Sequence, residues 1–96
     1  MAHYLLQEIR MIVSRDGGRS FTFTAQRGAE NMGLSRAEAV GVILTLTSNM
    51  LYKSMTCNNS SKTWQDVYHA PCPNGKIAYI KLTVQDGAVV IQFKEK

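Results

Sequence analysis

Residues 76–96, KIAYIKLTVQDGAVVIQFKEK, leave this chain few ways to fold. In the first stretch Ala78, Ile80, Leu82 and Val84 fall on one side of a strand, and Tyr79, Lys81 and Thr83 on the other. In the last stretch Val89, Ile91 and Phe93 oppose Val90, Gln92 and Lys94. Asp86-Gly87 between them is a two-residue hairpin signal of type I′. Upstream, LYKSMTC and KTWQDVYH are two more strand-like runs joined by a small polar loop, and PNG turns the chain into the third run. Four runs joined by turns this short pair antiparallel, as a meander. The apolar faces of the last two runs must be covered, so Tyr79, Lys81, Gln92 and Lys94 are expected on the open face. For Lys53 and Gln65 alternation leaves the face undecided, because both sides of the first two runs mix polar and apolar residues.

The cover has to come from the first half. Residues 3–14 carry Leu5, Ile9, Ile12 and Val13 at helical spacing, and Asp16-Gly17-Gly18 stops that helix. RSFTFT alternates, which predicts a short strand with Phe21 and Phe23 on one face. Residues 25–32 suggest a short helix ended by Gly33, although Gly28 in its middle argues against helix. Ser35 and Glu38 have the spacing of a capping box, which predicts a helix through AVGVILTLT, apolar enough to lie against a sheet. The expected architecture is one α+β domain over residues 1–96, with helices on one face of an antiparallel sheet.

Composition removes several classes. With 45% hydrophobic and 19% charged residues in 96, the chain is globular rather than disordered. Eleven Lys and Arg against seven Asp and Glu, a net charge of +4, direct attention to nucleic acid or an acidic partner. Cys57 and Cys72 do not make a disulfide framework and are read as reduced thiols. His3 and His69 with them match no zinc pattern, and His3 is expected to fray at the N-terminus. No secretory leader is recognisable, and the longest apolar run is too short for a membrane span. The expected location is the cytoplasm.

Asp66, Asp86 and Glu95 are scattered, which argues against a magnesium nuclease, and no phosphate-cradling glycine loop precedes a helix. A Ser54–His69–Asp66 triad has no support in its spacing. What remains is cationic and hydroxylic: Lys53, Lys81, Lys94, Tyr79 and Gln65. Such a set suits the dianionic phosphorane formed when a ribose 2′-hydroxyl attacks its own phosphodiester, because RNA brings the nucleophile. An ordinary lysine is almost wholly protonated at neutral pH, so Lys53 and Lys94 fit phosphate binding better than base catalysis. Tyr79 fits proton transfer and Gln65 orientation. His69, beside Pro71, is a further acid or base near neutrality or an idle turn residue. The same residues also describe an ordinary solvated sheet face with Trp64 as core, and residue types alone favour a basic binding module over a ribonuclease.

LYKSMT, TWQDVY, YIKLTV and the terminal FKEK, in that order and spacing, resemble the motility quorum-sensing regulator (MqsR) family of toxins. ENMGL followed by a capped apolar helix fits the same pattern, and the first twenty residues match loosely. The resemblance implies a compact fold similar to RelE. It also implies a metal-independent mRNA interferase of a type II toxin–antitoxin pair, cleaving single-stranded mRNA at GC-starting sites such as GCU without the ribosome. Carried over, the catalytic positions are Lys53, Gln65, Tyr79 and Lys94, with Lys81, Gln92 and His69 as RNA contacts. The alternative is a relative of the same fold that binds RNA or antitoxin without cutting. His69 stands where the family pattern has an arginine, and CNNSSK lacks histidine and carboxylate. No cofactor is implied for this chain; zinc is expected in the N-terminal domain of a cognate antitoxin.

Overall fold

The computed structural model describes residues 2–57 and 60–96, with the side chains of 57 and 60–62 outside that description. Helix α1 spans Leu6–Asp16, a 3-10 turn Gly17–Ser20, α2 Phe23–Asn31 and α3 Arg36–Leu44. A second 3-10 turn, Ser48–Met50, leads into β1 (Leu51–Cys57), β2 (Ser60–Pro71), β3 (Ile77–Gln85) and β4 (Ala88–Glu95). The strands form one antiparallel sheet in the order β1-β2-β3-β4, which is the expected meander. Its last hairpin closes on Asp86 (φ 52°) and Gly87 (φ 76°), with Gln85 opposite Ala88. Two consecutive positive φ angles match the right-handed twist of the flanking strands.

Alternation also holds where it was clearest. Ala78, Ile80, Leu82, Val89, Ile91 and Phe93 are buried on one face and join Tyr68 and Ala70 in a single core with the helices. Full burial of side chains such as Ile80, Leu82 and Ile91 contributes roughly 1.5–3 kcal/mol each. The opposite face is not uniformly wet. Val67 pairs with Lys81 and therefore shares its face, yet it is 0% exposed, and Thr83 on that face is buried as well.

The helical layer departs from expectation in four places. First, α1 begins at Leu6 rather than at residue 3, because the preceding segment is tied to the sheet. The backbone N–H groups of His3 and Tyr4 donate to the two carboxyl oxygens of buried Asp66 at 2.9 and 2.8 Å, and Ser54 Oγ donates to the same group at 2.6 Å. His3 is thus anchored, with its ring stacked on the half-buried Trp64 at 4.9 Å.

Second, RSFTFT is not a strand. The chain makes a 3-10 turn, touches β4 through a single parallel bridge between Phe21 and Ile91, and enters α2 at once. Thr22 caps that helix by accepting from Ala25 N at 3.0 Å. The cap prevails over the alternation, so Phe21 is buried and Phe23 is 72% exposed.

Third, Gly28 does not break α2. A Cβ there would lie 2.0 Å from the Phe93 carbonyl oxygen, so glycine lets the helix backbone lie directly on β4. Fourth, α3 has the expected capping box, with Glu38 N to Ser35 Oγ at 3.1 Å and Ser35 N to Glu38 Oε1 at 2.9 Å. It packs chiefly on α1, α2 and the first 3-10 turn rather than on strands, and ends at Leu44. The Cys72 thiol is free and buried, while the Cys57 side chain lies outside the described residues.

Candidate active site

Strand register turns the sequence positions into rows. His69 faces Tyr79, and Tyr79 faces Lys94. In the next row Lys53 faces Val67, Val67 faces Lys81, and Lys81 faces Gln92. Directly paired residues project to the same side, and Gln65 alternates in phase with Val67 and His69 along β2. Lys53, Gln65, His69, Tyr79, Lys81, Gln92 and Lys94 therefore all occupy the face opposite the buried core. For Lys53 and Gln65 only the pairing decides this.

Part of that face is a cleft of about 440 Å³ between the sheet and α2. Tyr79, Lys81, Gln92 and Lys94 form its floor, and Thr24, Arg27 and Asn31 form its wall. The Nζ atoms of Lys94 and Lys81 stand 5.3 and 5.9 Å from the centre of the Tyr79 ring, within the range of ammonium–ring attraction. Gln92 Oε1 accepts from the Thr22 hydroxyl at 3.2 Å, which links the cleft floor to the cap of α2. Lys53 and Gln65 do not line this cleft. With strands about 4.8 Å apart, three strand spacings, about 14 Å, separate the strand of Lys53 from that of Lys94. The cleft and the β1–β2 side are adjoining parts of one surface.

An aromatic column joins those parts. The pairing of β1 with β2 shifts between Leu51 and Lys53, and this bulge brings Tyr52 over His69. Their rings stack at 4.4 Å and 20°, and the Tyr79 ring lies 5.4 Å beyond. Lys53 Nζ stands 5.5 Å from the Tyr52 ring. Enclosed in this way, His69 Nε2 is buried and has no hydrogen-bond partner among the described residues. Burial pushes the His69 imidazole below its ordinary pKa, and the nearby Lys96 charge adds to that effect.

Among the described residues, Arg27, Lys53, Lys81 and Lys94 take part in no ion pair. Asp66, the acid next to Gln65 in sequence, points to the other side beneath the N-terminal segment. The surface is thus cationic, carries phenol and amide groups, and opens to solvent, which suits a phosphodiester chain. Sequence reasoning missed Thr24, Arg27, Asn31 and Tyr52. Thr24, Arg27 and Asn31 form a polar stripe at spacings of three and four, a helical signal hidden by reading Thr24 as strand. Tyr52 was hidden by the bulge, which no local pattern announces.

The family described as "Motility quorum-sensing regulator, toxin of MqsA" matches residues 1–95. A curated relative, "mRNA interferase toxin MqsR" of Escherichia coli (strain K12), is 33% identical over 94 residues, covering 98% of this chain and 94% of that protein.

Proposed function

This chain belongs to the motility quorum-sensing regulator (MqsR) toxin family, and from that premise we propose that it is an endoribonuclease, an mRNA interferase acting on single-stranded mRNA. The observation that carries the reading is the cleft in which Lys81 and Lys94 flank the Tyr79 ring, with no acid paired to them among the described residues. In the reaction the substrate's own 2′-oxygen attacks phosphorus and loses its proton. The bond from phosphorus to the 5′-oxygen breaks, that oxygen gains a proton, and a 2′,3′-cyclic phosphate and a 5′-hydroxyl result. Lys81 and Lys94 hold the non-bridging oxygens and offset the charge that grows on them, a role in which one well-placed donor contributes about a hundredfold or more in rate. Tyr79 relays a proton. Lys53 and Gln65 bind and orient the strand where it crosses β1 and β2, and Gln92 and His69 complete the contact surface.

Because the nucleophile belongs to the RNA and the ammonium groups supply the positive charge, the proposed step runs without a metal. Cleavage at GC-starting sites such as GCU, arrest of translation in the cytoplasm, and neutralisation by an antitoxin with a zinc-binding N-terminal domain complete the proposal. Among the described residues no helix is long and apolar enough to cross a membrane.

The test uses purified protein and a defined single-stranded RNA in EDTA. Cutting that survives the chelator and falls at least about a hundredfold in Tyr79→Phe and in Lys94→Ala supports the enzyme. RNA binding without cutting by the unaltered protein overturns the catalytic reading in favour of a binding relative.

A further inference from the structure

Helix α2 does more than cover β4. Its first residue, Phe23, leaves 72% of its surface exposed. One turn on, the Arg27 guanidinium stands 5.8 Å from the centre of the Phe23 ring. Arg27 makes no ion pair among the described residues, and it lines the cationic cleft beside Asn31 and opposite Tyr79. Phe23 does not line the cleft itself; it stands one helical turn before Arg27, which does. The wall is held in place, because Gly28 packs its backbone onto Phe93 and Thr22 ties its cap to Gln92.

An exposed aromatic ring beside a cationic groove is the combination that single-stranded nucleic acids use. An unpaired base has a free face for stacking, and the phosphate beside it needs a cation. Duplex RNA keeps its bases stacked on one another and cannot offer that face. We infer that α2 is a strand-selecting wall of the RNA cleft: Phe23 stacks on an unpaired base next to the bound phosphodiester, and Arg27 holds the adjoining phosphate. This inference rests on the RNA-cleaving reading for its substrate and extends it to the basis of single-strand preference. Tyr79 and the lysines below it act on the phosphodiester, while Phe23 and Arg27 position the strand.

The test is binding of a short fluorescent single-stranded RNA with every 2′-hydroxyl methylated, which cannot be cut. Phe23→Ala and Phe23→Leu should each weaken binding by about tenfold, the size of one lost base–aromatic stack. Phe23→Tyr should restore it, and Arg27→Gln should reduce the salt slope by about 0.7, the share of one phosphate contact on a single strand. A duplex of the same composition should bind Phe23→Ala and the unaltered protein alike. Because Phe23 is exposed, circular dichroism should show the variants folded. If Phe23→Ala or Phe23→Leu binds the single strand as well as the unaltered protein, or if both lose single strand and duplex in proportion, the inference is overturned. If RNA is cut normally by those variants while binding is unchanged, α2 loses this role and the enzymatic reading stands. If the unaltered protein binds the probe with the expected variant effects but cuts no RNA, the enzymatic reading falls and the α2 wall stands. Failure of the unaltered protein to bind any RNA overturns both.

Discussion

His69 shows how little a residue's type says about its state. In the sequence it is a histidine near a turn; in the fold it is held between Tyr52 and Tyr79, with Nε2 buried and unpartnered among the described residues. Burial first, and Lys96 second, disfavour its protonated form. A depressed folded-state pKa adds stability that is present above the ordinary value of about 6.5 and is lost as pH falls through the folded value. The protein should therefore lose stability on acidification from about pH 7 to pH 5, and His69→Gln should lose less over the same interval. Urea midpoints at each pH measure the difference; parallel curves would refute the assignment. Tyr79 and Lys94 were legible as face partners because strict alternation on β3 and β4 left each strand one apolar face to bury. Lys53 and Gln65 were not, because their strands mix polar and apolar residues on both sides and only pairing with β2 and β3 assigns a face.

Among the elements, α2 is the one the sequence described least well and the site uses most. The alternation of Phe21 and Phe23 suggested a strand, and Gly28 argued against helix. Both signals are local, and both were outweighed by contacts with β4: the Phe21–Ile91 bridge, and the Gly28 approach to the Phe93 carbonyl. Two glycine substitutions separate propensity from packing. Alanine at Gly41, in α3, meets no atom within 4 Å and should stabilise by about 0.4–1 kcal/mol. Alanine at Gly28 gains the same helical preference but drives a methyl into a backbone oxygen that cannot swing aside. It should destabilise by about 1–3 kcal/mol and disturb the cleft wall. Chemical denaturation of the two variants gives the signs, and a stabilised Gly28→Ala would contradict the close approach of α2 to β4. The N-terminal segment teaches the same lesson: residues expected to fray, or to be helical, instead satisfy the buried carboxyl group of Asp66.

Across the whole molecule, sidedness matters most. The core occupies one face of the sheet, and four cations without ion pairs among the described residues gather on the other: Arg27, Lys53, Lys81 and Lys94. If all four meet phosphates, the logarithm of single-stranded RNA affinity should fall with the logarithm of salt concentration at a slope of about −2.8, and each Lys→Gln change should reduce it by about 0.7. A slope near zero in a titration would disconnect this surface from RNA. The sequence by itself determined the antiparallel meander, the Asp86-Gly87 turn, the capping box of α3 and the face of Tyr79, Lys81, Gln92 and Lys94. Those features rest on short-range periodicity and turn chemistry, which a few neighbouring residues specify. The tertiary structure alone decided that α2 lies on β4 and walls the cleft, that the β1 bulge sets Tyr52 on His69, and that Lys53 and Gln65 share the open face. Each of these depends on packing or pairing between segments far apart in the chain, where the cost of a clash or an unpaired buried group outweighs local preference.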